Sequence, residues 1–350
     1  MKALLFCQNP YAFGILEPLG RELVKNGDQV LWFVPDKLIL QFPFAKEYIF
    51  SSSIKDCINF NAEVIYVPGN EVPHYLKGVK VQIFHGFAGE KKGHFRIRHY
   101  FDLYLTPGPW FTSKFNKLAS KYKDFTVTET GWSKLDTLYS VKDDGSLLRN
   151  QTLGKSNKKY LILYAPTFSP SLTSADNSLN HIIELSKHDD YHVVVKFHDL
   201  TSKKIVSKYI EAASANKHLE IAEDKNILPW IKAADLMISD TSSAVYEFLL
   251  LDKPVITIKS RSKHIKWEDI SDPSFLISSV SDNLLNDPLK DERLWFVQNY
   301  HPYKDGKSSG RMIEAAKEYI HNNGVPEKRK LRWSRRVKIN RMFGKLGQYV

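Results

Sequence analysis

The residues able to do chemistry gather just after short apolar runs. His85 and Gly86 follow Val81–Phe84 in VQIFHG, Thr167 follows LILYAP, and Lys196 and His198 stand in VVVKFHDL. An imidazole titrating near neutrality suits proton transfer, while hydroxyls and an ammonium suit an anion. The densest group is ADLMISDTSSAVYEFLLLDKP, Ala234 to Pro254. There an apolar strand, Leu236 to Ile238, leads through Asp240, Thr241, Ser242 and Ser243 into a helix with Val245, Phe248 and Leu249 on one face. Unpaired backbone N–H groups and a partial positive charge at such a helix start, joined by two hydroxyls, make a seat for phosphate; the same residues also fit a plain N-cap. A second donor-rich segment, Asp305 to Gly310, precedes a helix from about Arg311, and its Lys307 and Ser309 offer a further phosphate contact or another cap.

The missing motifs discriminate too. No Asp-x-Asp pair occurs, so a nucleotide-bound metal has no carboxylate clamp, and neither a metal nor a cofactor is expected. GxGxxG and GxxxxGK[ST] are absent, which disfavours dinucleotide oxidoreductases and P-loop NTPases.

The elements that must hold these groups alternate. Lys2–Cys7 reads as a strand, Gly14–Asn26 as an amphipathic helix and Gln29–Val34 as a strand, followed by short apolar strands at Glu63–Val67, Val79–Phe84, Asp102–Leu105 and Phe125–Thr128. Residues 141–157 turn polar and read as a linker. The pattern then restarts, with strands at Lys159–Tyr164, His192–Phe197, Leu219–Ala222, Asp235–Ser239 and Val255–Ile258 between helical segments. The expected fold is α/β: two Rossmann-like doubly wound domains, 1–150 and 151–325, facing across a cleft where ligands bind beyond the strand ends.

A chain of 350 residues, 43% hydrophobic and 13% aromatic, can build two cores. Two cysteines, Cys7 and Cys57, are too few for a disulfide framework, and neither a leader nor a run of ~20 apolar residues is evident, so a cytoplasmic location is expected. The net charge of +11 is concentrated: nine Lys or Arg and one Glu fall in residues 326–350, leaving +3 for the rest. In a helical projection Leu331, Ile339, Met342, Phe343, Leu346, Tyr349 and Val350 share one face, with Lys330, Lys338, Arg341 and Lys345 opposite and Arg335 intruding on the apolar stripe. A basic amphipathic tail over 326–350 is expected to attach peripherally to an anionic membrane surface.

Several segments together resemble the CDP-glycerol glycerophosphotransferase family of teichoic acid, capsule and lipopolysaccharide synthesis. They are HG at His85, GWSKLD from Gly131, LYAPTF from Leu163, KFHD from Lys196, ADLMISDTSSAVYEF, DKPVI from Asp252 and DGKSSGR from Asp305, in the family's order over about Val79 to Ile320. The resemblance implies a GT-B fold and transfer of glycerol phosphate from CDP-glycerol to a hydroxyl of a glycan or lipid-linked acceptor, releasing CMP, on the inner face of a bacterial cell membrane. It implies His85 as general base and His198 as a diphosphate contact. It also makes Ser242 and Ser243 the diphosphate-binding serines and sets Glu247 one turn further, in reach of polyol or ribose hydroxyls. Gly86, Thr167, Lys196, Asp240, Thr241, Lys307 and Ser309 complete the expected donor-binding set. HGFAGE departs from the family's HG-T-like sequence, and Thr241 stands where Tyr is common.

Other functions leave distinct signatures. A GT-B glycosyltransferase would release UDP or GDP from a nucleotide sugar, and a ribitolphosphotransferase would take CDP-ribitol. Nucleic-acid binding would rest on the basic, Trp333-containing tail, but the first 325 residues carry little excess charge, so no nucleic-acid partner is expected.

Overall fold

The computed structural model describes residues 1–87, 94–139, 144–224, 226–263, 265–326, 329 and 331–349. The chain divides into two compact units: residues 1–139 with 299–350, and residues 140–298.

The first unit is a seven-stranded sheet. Its strands are β1 (Lys2–Phe6), β2 (Gln29–Phe33), β3 (Phe50–Ser51), β4 (Val64–Val67), β5 (Val79–Gln82), β6 (Leu103–Thr106) and β7 (Thr126–Glu129). They lie in the order β3-β2-β1-β4-β5-β6-β7, every pair parallel. Central strands such as β4, VIYV, are buried along their whole length, because helices cover both faces of a parallel sheet and leave no solvated side for polar residues. Its helices are α1 (Phe13–Lys25), α2 (Asp36–Ile39), α3 (Ile54–Phe60) and α4 (Pro109–Tyr122).

The second unit carries six parallel strands: β8 (Tyr160–Tyr164), β9 (Tyr191–Val195), β10 (Leu219–Ile221), β11 (Leu236–Ser239), β12 (Val255–Ile258) and β13 (Glu268–Ile270), in the order β10-β9-β8-β11-β12-β13. Its helices are α5 (Ser146–Ser156), α6 (Ala175–Lys187), α7 (Lys203–Ser214), α8 (Leu228–Ala233), α9 (Ala244–Leu249) and α10 (Leu276–Leu285). Helix α11 (Lys290–Tyr300) leads back into the first unit, where α12 (Ser308–Asn323) and α13 (Trp333–Phe343) pack.

Three expectations are revised. The polar stretch expected as a linker over 141–157, whose residues 141–143 lie outside the described residues, contains helix α5. Arg149 on that helix makes a two-pronged ion pair with Asp235 and donates to the Lys159 carbonyl, which fixes it to the residues that lead into two central strands of the second sheet. The domain boundary also moves. Residues 299–325, expected with the second domain, belong to the first unit, since α12 packs on α1.

The third revision concerns the tail, of which residues 327, 328, 330 and 350 lie outside the described residues. Ile339 is fully buried in the first unit's core, and Leu331, Phe343 and Tyr349 pack against the same cluster. Phe343 sets its ring edge-on to Phe6 at 5.6 Å, and the Tyr75 hydroxyl donates to the Phe343 carbonyl at 2.8 Å. Upstream, Arg329 forks onto Asp102 and donates to the Gly78 carbonyl. Most of the apolar stripe expected to meet lipid therefore packs inward, because an open apolar groove of the chain's own core takes it first. Met342 and Leu346 stay exposed, as does Trp333, at 80%.

Candidate functional site

In both sheets the strand order reverses once, between β1 and β4 and between β8 and β11. Crossovers leave that point in opposite directions, opening a crevice at the carboxyl ends of the two strands. Of the expected site residues, His85 and Gly86 follow β5 beside the first place, and Thr167 and Asp240 to Ser243 follow β8 and β11 at the second.

In the first unit, His85 follows β5, next to the end of β4. Phe84, the residue before it, has φ +59°, a left-handed conformation that costs energy in a bulky residue and persists because Phe84 is locked against Phe115, ring centroids 5.0 Å apart. The turn this produces leaves His85 exposed beyond a fully buried strand. Its Nδ1 lies 3.1 Å from the Pro68 carbonyl oxygen at the end of β4. A carbonyl can only accept, so Nδ1 carries the hydrogen and Nε2 is the basic nitrogen. The Tyr11 ring lies 5.2 Å from the imidazole. At Gly86 a Cβ would meet nothing within 4 Å, and Ala88, Gly89 and Glu90 of HGFAGE lie outside the described residues.

In the second unit, His198 presents the complementary tautomer. Its Nδ1 accepts the Leu200 backbone N–H at 3.1 Å, so the hydrogen sits on Nε2 and the ring is a donor there. Phe168 packs on that ring, centroids 4.5 Å apart, and the residue is exposed. Ser243 is exposed and Ser242 half-buried before α9; Ser243 is the N-cap and makes no side-chain cap bond, while the Ser242 hydroxyl accepts the Ala244 N–H at 3.3 Å. Glu247 lies half-buried on the same helix.

Four other residues of the expected set make hydrogen bonds within the chain. Asp240 is 1% exposed and accepts from the Thr167 N–H at 2.9 Å, the Ser174 N–H at 2.9 Å and the Ser174 hydroxyl at 3.0 Å. It ties β11 to the loop after β8 rather than facing a ligand, and burial raises its pKa above the usual carboxylate range despite those bonds. Thr167, the partner of that bond, is half-buried with its backbone N–H committed. Thr241 Oγ1 accepts the Arg261 N–H at 3.0 Å, and Lys196, buried, donates to the Phe197 carbonyl at 2.7 Å. A cavity of about 300 Å³ opens beside the same loop, lined by Ser171, Thr173, Asn177, Lys259 and Arg261.

Lys307 and Ser309 depart furthest from expectation. They lie in the first unit, apart from the other residues of the expected donor-binding set in the second. The N–H groups of Ser308 and Ser309 at the start of α12 bond the two carboxylate oxygens of Asp136 at 2.8 and 2.7 Å. GWSKLD thus supplies the anion that DGKSSGR was expected to take from a ligand, and Ser309 is buried. Gly131, at φ +83°, stands against Ser308 and His301, so the close approach of the two segments needs a glycine there. His301 is buried and its Nε2 accepts the Trp132 N–H at 3.0 Å; burial first, then the Arg311 charge, push its pKa down to about 3.

Sequence reasoning missed Pro68, Gly69, Tyr11 and Phe84. Phe84 stands in VQIFHG only as the last apolar residue of its run, and the other three stand in no motif, but Pro68 and Gly69 follow β4, where the strand order itself marks a ligand-facing end.

Two all-parallel doubly wound units with histidines and hydroxyls at their strand ends define an α/β protein of the GT-B type. Residues 75–262 match the model described as CDP-Glycerol:Poly(glycerophosphate) glycerophosphotransferase, more than half of the chain, and the chain belongs to that family. It is similar to the teichoic acid glycerol-phosphate primase of Bacillus spizizenii, 25% identical over 227 residues that cover 57% of this chain and 56% of that protein. The chain spans about half the length of the curated relatives it matches. Among solved structures it resembles the wall teichoic acid polymerase TagF, with a TM-score of 0.61, 16% identity and coverage of 91% of this chain and 89% of that one. It also resembles a UDP-GlcNAc 2-epimerase from Neisseria meningitidis, with a TM-score of 0.63, 15% identity and coverage of 91% and 100%. At these identities the structural likeness is one of fold, which different chemistries share.

Proposed function

We propose that the chain transfers glycerol phosphate from CDP-glycerol to a hydroxyl of a glycan or lipid-linked acceptor in the synthesis of teichoic acid or a related cell-surface polymer. The acceptor oxygen attacks the glycerol-bearing phosphorus while its proton passes to Nε2 of His85. The bond from that phosphorus to the bridging oxygen breaks, and CMP leaves with the electron pair. The observation that carries this reading is the Nδ1 contact of His85 with the Pro68 carbonyl, which makes Nε2 the proton acceptor. Such general-base catalysis contributes typically ~100 to 10,000-fold.

The second unit supplies the electrostatics. His198 offers an Nε2–H to a phosphate oxygen, Ser242 and Ser243 offer hydroxyls, and Glu247 accepts from polyol or ribose hydroxyls. Phosphoryl transfer is mainly positioning and charge stabilisation, which is what donors fixed at strand ends provide. Asp240, Thr167, Thr241 and Lys196 hold that frame in place.

Membrane contact is proposed in a revised form. With Ile339 and Phe343 packed inward, Arg332, Arg336, Arg341 and Lys345 remain exposed beside Trp333, which favours adhesion to anionic headgroups by charge rather than by insertion of an apolar face. Among the described residues no helix is long and apolar enough to cross a membrane.

The test is a panel of CDP-glycerol, CDP-ribitol and nucleotide sugars, scored by nucleotide release with acceptor present. CMP release from CDP-glycerol, abolished in a folded His85→Ala variant, is the expected result. UDP release from a nucleotide sugar, or an undiminished rate in His85→Ala, would overturn it.

A further inference from the structure

Glu71 is 8% exposed and gathers donors from distant parts of the first unit. Lys338 Nζ lies 2.6 Å from its Oε1, Arg335 Nη1 lies 3.0 Å from the same oxygen, and the Tyr100 hydroxyl lies 2.6 Å from Oε2. Lys338 and Arg335 stand three residues apart on α13, so one helix face delivers both cations. Burial alone would raise the Glu71 pKa, but hydrogen bonds from Lys338 and Tyr100 and the Arg335 charge outweigh it and hold the carboxyl below its usual range. The group is a fixed anion.

Glu71 also closes a short loop. At the near end, the Val67 carbonyl accepts the Ile83 N–H at 3.1 Å. At the far end stands the clamped carboxylate, with the neighbouring Asn70 carbonyl 2.6 Å from the Tyr100 hydroxyl. Between them the Pro68 carbonyl meets Gln82 Nε2 at 3.3 Å and His85 Nδ1 at 3.1 Å. Gly69 packs so closely that a Cβ there would stand 2.9 Å from Gln8 Oε1. The carbonyl that selects the His85 tautomer therefore lies between two pins, one of which is held by residues more than 260 positions along the chain.

We propose that Glu71 is a positioning residue for His85, and that the tail helix, by clamping Glu71 through Arg335 and Lys338, holds the Pro68 carbonyl on Nδ1. The inference rests on the reading of His85 as the base. Once Glu71 is released, the loop relaxes and the ring loses the bond that favours hydrogen on Nδ1. A share of the molecules then carries the hydrogen on Nε2 and cannot take the acceptor's proton. Donor affinity is spared, because the donor contacts proposed above are made by His198, Ser242 and Ser243.

The test combines kinetics with ¹⁵N-histidine spectra of the full chain. Glu71→Gln is expected to lower kcat about tenfold while KM for CDP-glycerol stays within about twofold, the pattern of a misplaced catalytic group. Lys338→Met, at a half-exposed side chain, should lower kcat less, and Lys338→Arg should restore it. The His85 ring signal should move from the Nδ1–H form toward a mixture in Glu71→Gln. Wild-type kcat and an unchanged ring signal in both Glu71→Gln and Lys338→Met, with His85→Ala inactive, would overturn the proposal. Full activity in His85→Ala would instead sink the assignment of the base, and the ring signal alone would then decide whether Glu71 sets the tautomer.

Discussion

Asp240 accepts the backbone N–H of Thr167 at 2.9 Å, bonding the end of β11 to the loop after β8 across the point where the strand order reverses. Its other oxygen holds Ser174 by both backbone and side chain, so one buried carboxylate sets the shape of the loop beside Ser242 and Ser243. Asp240→Ala leaves the backbone N–H groups of Thr167 and Ser174 without their acceptor, while the Ser174 hydroxyl keeps the Tyr164 hydroxyl as a partner. At ~1–3 kcal/mol for a buried donor left unpaired, the expected loss is about 3 kcal/mol in urea denaturation, together with a raised KM for CDP-glycerol. An unchanged denaturation midpoint would show that water replaces the carboxylate without cost.

Acid should destabilise the first unit through His301. Its folded pKa of about 3 lies below the ordinary histidine value of 6.5, so the unfolded chain takes up the proton first as pH falls. The stability conferred by the neutral ring is fully present above about pH 6.5 and is lost progressively toward pH 3, at no more than about 1.4 kcal/mol per pH unit. His301→Gln, which keeps an acceptor for the Trp132 N–H, should flatten that slope. Parallel melting curves of the two proteins from pH 7 to pH 4 would contradict the assignment.

The start of α12 can be tested as a cap rather than a ligand seat. Asp136→Ala removes the acceptor from the N–H groups of Ser308 and Ser309 and should cost about 1–2 kcal/mol. Lys307→Ala, at an exposed side chain of the first unit, should leave KM for CDP-glycerol unchanged. A several-fold rise in that KM would return the segment to the donor site.

Ile339 distinguishes a packed tail from a free one. Its side chain is fully buried in the core cluster, so Ile339→Ala should destabilise the protein by about 2–4 kcal/mol. Removing residues 331–350 should do more, exposing the groove that also takes Leu331, Phe343 and Tyr349. If the truncated chain melted at the wild-type temperature, the tail would not be part of the core.

The strands were legible where burial on both faces forces an unbroken apolar run, as in LILY of β8 and LMIS of β11. β13, with the sequence EDI, was not: its Glu268 and Asp269 are absorbed by Ser279 and Thr257, partners that no local pattern announces. Helix α5 was hidden by Gly154 and a polar composition, and its anchor, Asp235, is 86 residues away from Arg149.

The same division runs through the site. Side-chain type and position after an apolar run were enough to single out His85, His198, Ser242 and Ser243 as candidates, because ligands of doubly wound sheets meet the ends of strands. Role required the fold. Asp240 has the chemistry of a ligand contact, yet its hydrogen bonds are spent on the chain itself, and Thr241 Oγ1 accepts the Arg261 N–H. Asp136 fills the helix start that Ser308 and Ser309 had offered to a phosphate. Which histidine nitrogen is basic depends on a carbonyl at Pro68 and an amide at Leu200. The tail shows the physical reason most plainly: its period of apolar residues required a surface to cover, and only the packed core of the first unit determined that the surface was its own.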